Sequence, residues 1–289
     1  MSRREWWVPY TFLLPALVGL ALFRVVPTLY AVGRSFYAVS FGLTPATVFV
    51  GSDNYSALVN DPTFWQSVRV SVLFNVVINP LQTALALILA LLVSMRLRGV
   101  GVFRGIFFVP ISVSITVASI VWQMMLDPQS GLVNGLLEWV GLPTQPFLTS
   151  PVQALPSIIL IASWIGVGYW MFFFLAGLQG IPVTYYEAAA IDGATSWASF
   201  LHITLPLLRR VIAFVLVADT TANFLLFVPV YIMTHGGPEG STDLLMYEAY
   251  RSGFIGLDMG RATSITTVLL GVLLITVGAQ LLFFRSLER

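Results

Sequence analysis

The sequence predicts an all-α, polytopic membrane fold with six spans, and three observations carry that prediction. Apolar residues make up 57% of the 289 residues, charged residues only 9%, and mean hydropathy is +0.88. A soluble domain carries roughly 25% charged residues on its surface, so most of this chain's surface must face lipid. The apolar residues also gather into stretches that can cross a bilayer, which takes about 20 residues. Finally, all fourteen cationic side chains are arginine, and they are divided unequally between the loops.

The first span covers about 9–30 and follows Arg3 and Arg4. No small-x-small cleavage site follows it, so it reads as a retained anchor rather than a removed signal. The second lies between Arg69 and Arg96, the third between Arg104 and Asp127. The fourth covers about 156–178. The fifth covers about 211–233, with Asp219 inside it, and the sixth lies between Arg261 and Arg285. Six spans put both termini on one side. That side collects Arg3, Arg4, Arg96, Arg98, Arg104, Arg209, Arg210, Arg285 and Arg289. The other side has Arg24, Arg34, Arg69, Arg251 and Arg261, together with eight acids, so the positive-inside rule places both termini in the cytoplasm. Residues 1–67 then form an anchor helix and the first outer loop. Residues 68–289 form a five-helix core with a cytoplasmic loop at 179–208. The outer loops at 32–67, 127–155 and 234–260 carry Trp65, Trp139 and other aromatics, as expected of interfacial belts or short surface helices.

Composition also excludes chemistry. A phosphate-binding Walker loop needs a lysine to reach the β- and γ-phosphates, and this chain has none. Without cysteine there are no disulfides, thiolate metal sites or thiol nucleophiles. A net charge of +1 offers nothing to a nucleic acid. His202 and His235, the only histidines, fall on opposite sides of the membrane and cannot share a metal.

The most informative stretch is the loop between the fourth and fifth spans. Thr184 and Glu187 have capping-box spacing, the alanines after Glu187 favour helix, and Gly193 can end it in the left-handed conformation. Ser196 can begin a second short helix that Pro206 would stop. On spacing alone this fits either a rigid helix–glycine–helix elbow or an amphipathic connector lying on the membrane surface. The residues in register resemble the EAA loop of binding-protein-dependent ABC importer permeases: Glu187, Ala188, Ala189, Asp192, Gly193, Ala194, Phe200, Ile203, Leu205 and Pro206. The resemblance implies a type I importer permease bundle whose elbow docks in a cleft of a separate ATPase subunit. Glu187 would contact that subunit and Gly193 would make the turn. It further implies a second homologous permease, a dimer of ATP-binding subunits holding ATP and Mg, and an extracytoplasmic solute-binding protein. The expected location is the bacterial plasma (inner) membrane, with no cofactor on this chain.

A second signal follows the fifth span: Thr234-His235-Gly236-Gly237-Pro238, then Ser241-Thr242, then Tyr247, Tyr250, Arg251, Gly253 and Phe254. As a bare pattern Gly-Gly-Pro is an ordinary tight turn. Alongside the EAA loop it resembles the outer loop of carbohydrate-uptake permeases, specifically the first of their two permease subunits. Phe12-Leu-Leu-Pro15, Pro27 and Ser35-Phe36 resemble the same group.

Candidate solute-path residues are those costly to leave in lipid. Asp219 is a charge at membrane depth, a functional hypothesis by default, and Asn223 shares its helix face. Asn75, Asn79 and Gln82 recur at helical spacing in the second span. Ser112, Thr116, Ser119 and Gln123 follow one stripe in the third, and Trp164, Tyr169 and Trp170 come from the fourth. Amides, hydroxyls and aromatic faces suit a sugar, yet the same groups also bind neighbouring helices to one another. A polyol phosphate, amino acid or peptide is the alternative cargo. A stand-alone secondary transporter is the alternative class; such proteins show broken helices or repeated halves, and neither is evident in the sequence. A membrane enzyme lacks any cluster of His, Glu or Asp.

Overall fold

The computed structural model describes residues 8–40, 46–95 and 100–286. Of the arginines tallied above, Arg3, Arg4, Arg96, Arg98 and Arg289 lie outside the described residues. Among the described residues five helices are long and apolar enough to cross a bilayer: span 1 (Tyr10–Arg34), span 2 (Pro62–Ser94), span 4 (Ala154–Gln179), span 5 (Arg209–Met233) and span 6 (Met259–Ser286). Span 3 is a pair of helices, Gly101–Ser112 and Ile115–Met125, that meet at 99°. The third span expected between Arg104 and Asp127 is therefore a broken one. Pro110 cannot donate to the preceding turn. Val113 N–H closes a tight turn onto the Pro110 carbonyl, and Ser114 is extended (φ −57°, ψ 132°) as it opens the second helix. The break separates Ser112 from Thr116, Ser119 and Gln123, so these four do not share one stripe. Ser112 and Ser119 instead bond backward to the Val109 and Ile115 carbonyls of their own helices.

The described chain groups into two compact units: residues up to Pro62 with Glu248–Leu270, and Thr63–Tyr247 with the residues from Gly271. The first unit holds span 1 and an antiparallel hairpin, β1 (Tyr37–Ser40) with β2 (Ala46–Phe49), in a register pairing Tyr37 with Phe49 and Val39 with Thr47. No strand was expected in this outer loop. Asn54 Nδ2 donates to the Ser35 and Tyr37 carbonyls, and Ser264 Oγ donates to Ser35 O. Gly260 allows close approach, because a Cβ there would meet the Tyr37 carbonyl at 2.6 Å. Arg261 pairs with both Asp61 and buried Glu248, and Glu248 also takes Arg251.

The second unit is built around span 4, whose buried residues run from Ala154 to Leu175. Two apolar clusters stack along it. One joins Phe74 and Ile78 of span 2 to Ile158 and Ile161 of span 4 and Val230 and Met233 of span 5. The other joins Ala86, Ala90 and Val93 to Trp170, Met171 and Phe174 and to Val215. The second limb of span 3 packs on Val228–Met233, and its first limb packs on span 4. Glycine makes that second contact possible. A Cβ at Gly168 would sit 2.0 Å from the Phe107 carbonyl oxygen. Outside the membrane, Asp127 Oδ1 accepts from Gln129 N, Ser130 N and Ser130 Oγ. Those donors hold its carboxyl below the usual carboxylate range.

Two glycines make a controlled comparison. A Gly168→Ala chain must separate spans 3 and 4, at a cost of about 1–3 kcal/mol. Gly278→Ala meets nothing within 4 Å and should gain a few tenths of a kcal/mol, on the order of the helix preference of alanine. Thermal unfolding of the purified chains in detergent should order them Gly278→Ala, wild type, Gly168→Ala. A Gly168→Ala chain as stable as wild type contradicts this packing.

Candidate functional site

Between the two apolar clusters lies a polar layer, built from spans 2, 5 and 6. Asn79 and Gln82 interrupt the apolar face of span 2 at the same depth at which Asp219, Thr220 and Asn223 interrupt span 5. All five are buried. Asn223 Nδ2 donates to Asn79 Oδ1 at 2.8 Å, to Asp219 Oδ1 at 3.0 Å and to Gln82 Oε1 at 3.2 Å. Asn79 Nδ2 donates to Thr220 Oγ1 at 3.0 Å and to Asn75 Oδ1 at 3.3 Å. Thr220 Oγ1 also accepts from Gln280 Nε2 of span 6, at 2.8 Å. In hydrocarbon such groups have no water to fall back on, so they must satisfy one another.

Three polar atoms of the layer are left over. Asp219 Oδ2, Gln82 Nε2 and Gln280 Oε1 are buried and find no partner within the layer. Asp219 and Gln82 line a cavity of about 460 Å³, with Asn223, Tyr169, Trp170 and Gly166. Gly166 keeps room for the Gln82 amide, since a Cβ there would approach Nε2 at 3.0 Å. The cavity thus offers one carboxylate oxygen, one amide donor, a phenol and an indole, and among the described residues no basic side chain lines it.

Of the path residues singled out from the sequence, the structure brings Asp219, Asn223 and Tyr169 to this cavity and places Asn79 behind them. Trp164 sits elsewhere, edge-on to Trp122 at 5.6 Å and lining an apolar groove between spans 2, 3 and 4. Gln123, on the second limb of span 3, is half-buried and does not line the cavity. Thr220 and Gln280 belong to the layer and were not singled out. Gln280 could have been found as the lone amide in span 6, whose other polar side chains are hydroxyls and the arginines near its ends.

Spans 4 and 5, which supply most of the cavity wall, are joined directly by the loop at 179–208. Its first arm is the helix Val183–Ile191. This helix begins after extended Pro182, and no side chain caps it, so the expected Thr184–Glu187 capping box is not formed. Pro182 already sets the turn, and Thr184 falls inside the helix. The helix ends in a Schellman motif: Ala194 N–H bonds Ala189 O at 2.9 Å and Gly193 N–H bonds Ala190 O at 3.1 Å, with Gly193 at φ +76°. Thr195 Oγ1 then accepts from Ala198 N and caps the second arm, which starts at Ser196 as expected. Pro206 does not stop that arm, contrary to expectation. A wide π turn over Phe200–Thr204, closed by Leu205 N–H to Phe200 O, absorbs the proline and leads the chain on toward span 5. Tyr186 Oη and Thr204 Oγ1 tie the two arms together at 2.9 Å. Glu187, Ala188, Asp192, Gly193 and Ala194 are exposed, Ile203 and Leu205 are partly buried, and Ile191 and Trp197 are 87% and 67% exposed. His202 is exposed and bonds only its own helix, at Ala198 O.

A helical bundle with a polar cavity at mid-depth, whose walls connect straight to an exposed elbow, is the architecture of a transport subunit rather than an enzyme. The chain belongs to the family of binding-protein-dependent transport system inner membrane components, whose pattern matches residues 7–289. It is thus a multi-pass inner-membrane permease. It is 34% identical over 284 residues to the sn-glycerol-3-phosphate transport system permease protein UgpA of Brucella suis, covering 98% of this chain and 95% of that one. It is 36% identical over 286 residues to the lactose transport system permease protein LacF of Rhizobium radiobacter, covering 97% and 94%. Its fold matches a chain of a bacterial ABC transporter that imports the acidic polysaccharide alginate, with TM-score 0.82 at 23% identity over 99% and 98% of the two chains.

The polar layer can be tested through Thr220, which serves two donors from two helices. Thr220→Val keeps the shape and removes the acceptor. Interhelical hydrogen bonds in membranes contribute about 0.6 kcal/mol each, rising to about 1.7. Thr220→Val should therefore lower unfolding stability by about 1–2 kcal/mol in an SDS titration, while Thr220→Ser should stay near wild type. Equal stability of the two variants removes Thr220 from the layer.

Proposed function

We propose that this chain is the transmembrane half-pathway of an ATP-driven importer for a neutral sugar or sugar-like solute. In this reading both termini face the cytoplasm. Two ATP-binding subunits hold ATP and Mg, a second homologous permease completes the pathway, and an extracytoplasmic binding protein delivers the solute. The observation that carries it is the direct covalent connection of the elbow to spans 4 and 5, the two walls of the cavity. A push on the elbow from closing ATPases reaches Tyr169, Trp170, Asp219 and Asn223 through two helices and no intervening loop.

In this mechanism the elbow's exposed Ala188 and Ala194, with half-buried Ala189, let the ATPase surface approach the backbone, and Glu187 and Asp192 supply polar contacts. Ile203, Leu205 and Pro206 form the hinge-side wall that passes motion into span 5. ATP binding closes the ATPases, draws the elbow inward and opens the path toward the binding protein; hydrolysis resets it. The Asp219 carboxylate and the Asn223–Asn79–Gln82 amides present groups that bind hydroxyls, and Tyr169 and Trp170 present aromatic faces to the apolar side of a sugar ring. The cavity volume lies within the range of about 300–1,000 Å³ usual for small-molecule sites. The relatives at hand include permeases for lactose and for sn-glycerol-3-phosphate. The cavity favours the uncharged cargo, since a phosphate would face a carboxylate with no basic residue beside it.

Uptake by proteoliposomes holding the assembled transporter, ATP and the binding protein tests the coupling role. Gly193→Val forces a β-branched residue into the left-handed region, where an ordinary L-residue already costs about 1–2 kcal/mol. It should insert and fold but lose more than tenfold in ATP-dependent uptake. Gly193→Asn, which tolerates that conformation, should keep most of it. Normal uptake by the valine variant rejects the elbow assignment. The solute is tested by titrating the binding protein with mono- and disaccharides and with glycerol phosphate, where tight binding of the phosphate alone rejects the sugar reading.

A further inference from the structure

On the elbow side of the cavity stands a series of touching aromatic rings. Tyr169 and Trp170 line the cavity itself. The ring of Phe173, one turn further along span 4, touches both, with centroids 5.3 Å from Tyr169 and 5.8 Å from Trp170. Phe214 of span 5 meets Phe173 at 5.2 Å, with the planes tilted by 45°. Phe214 also lines a crevice of about 440 Å³ between the beginning of span 5 and the end of span 6. The series thus runs from the wall of the cavity to the wall of that crevice, and the pair Phe173–Phe214 carries it from one helix to the other.

Helix geometry fixes the depth of this pair. Span 4 runs from the cavity to the elbow, and span 5 returns from it. Phe173 is nearer the elbow than Tyr169, and Phe214 is nearer it than Asp219. At a rise of about 1.5 Å per residue, both rings stand about 6–8 Å to the elbow side of the cavity residues. Closer still to the elbow the two helices nearly touch. A Cβ on Gly177 would meet Val211 Cγ2 at 2.8 Å and Leu208 Cδ2 at 2.9 Å. Ordinary core packing would bury the rings completely, as it does Met171 and Phe174 of the same stretch. Phe214 is instead 53% exposed and Tyr169 is 46% exposed. The pair therefore sits at the edge of the packed core, where a ring has room to move. A constriction of apolar side chains shuts out water and polar solutes. An aromatic pair adds only a modest stabilisation beyond its buried area, so a small displacement parts it. Spans 4 and 5 are the helices that the elbow joins, which places the elbow to supply that displacement.

We propose that Phe173 and Phe214 form the elbow-side gate of the cavity. In contact, the two rings bar a polar solute from leaving on that side. Movement of the elbow separates spans 4 and 5 at this pair and opens the way out. The inference rests on the import reading, in which the elbow side is the cytoplasm and this gate is the exit.

The chain has no cysteine, so a single introduced thiol reports alone. A222C puts that thiol on the cavity wall, where Ala222 is an exposed lining residue. A194C, on the exposed elbow, marks sealed membrane vesicles whose elbow side faces the medium. The reagent is 2-(trimethylammonio)ethyl methanethiosulfonate, which carries a permanent charge and does not cross lipid, and labelling is followed by intact mass. From the elbow side, A222C should react at least tenfold more slowly than A194C. F214A/A222C should react at least fivefold faster than A222C alone. F214L/A222C and F173L/A222C, which keep an apolar side chain without the ring, should react at least twofold faster, and they decide the matter if F214A does not reach the membrane. F172L/A222C should match A222C, because Phe172 pairs instead with Phe108 of span 3. Reaction of A222C as fast as A194C, no acceleration in the Phe214 and Phe173 variants, or equal acceleration by F172L each overturns the gate. The measurement uses neither ATP nor a cognate solute, so its failure leaves the import reading standing, and the uptake assay tests that reading separately.

Discussion

The structure depends on the requirement that polar groups sealed inside a membrane bundle satisfy one another. Asn79, Gln82, Asp219, Thr220 and Asn223 lie in a buried polar layer between two apolar clusters. Each side chain of that layer fixes where its helix can sit relative to the next. Leucine and phenylalanine pack almost equally well against lipid or against protein, so apolar contact alone sets the rotation of a membrane helix weakly. Asn223 with three acceptors, and Thr220 with two donors, do set it. The layer is thus both the registration device of spans 2, 5 and 6 and the floor of the cavity. Of the atoms it leaves unmatched, Asp219 Oδ2 and Gln82 Nε2 belong to residues that line that cavity.

Glycine sets the other distances. Gly166 and Gly168 lie one turn or less apart on span 4 yet do different things. The first leaves room for the Gln82 amide beside the cavity, and the second lets the backbone of span 3 approach within contact of span 4. Small residues therefore give the central helix close neighbours on one side and an open polar chamber on the other. At the far end of the same helix the chain turns through Gly180 into the elbow, where Gly193 closes a Schellman turn at a φ that a β-branched residue could not take without strain.

Much of this was legible in the sequence because membranes impose few alternatives. The spans followed from apolar length, and the reversal at Gly193 from a glycine after a run of alanines. Asp219 and Asn223 drew notice because polar groups four residues apart in an oily helix share a face. What was not legible depended on partners distant in the chain or on the local geometry of proline. Gln280 acquires meaning only once Thr220 is seen beside it. The 99° break in span 3 comes from an extended Ser114 after Pro110, yet Pro80 sits inside span 2 without breaking it, so the residue alone does not decide. Thr184 and Glu187 had the spacing of a cap but not the position, because Pro182 had already begun the helix. The hairpin at β1 and β2 was hidden in a loop whose composition favoured turns and short helices.

The π turn at Phe200–Thr204 has a consequence for how the molecule keeps time. A wide turn fits one more residue into a helical repeat than an α-turn does, and so advances the angular phase of everything that follows. Each residue of an α-helix turns the chain by about 100°. Were the turn to tighten by a single residue, Asp219 and Asn223 would swing away from the amides of span 2 and toward a different neighbour. The same five residues that let Pro206 pass without ending the arm therefore act as a phase setting between the elbow and the cavity. Any displacement of the loop at 179–208 would therefore reach span 5 as rotation as well as translation.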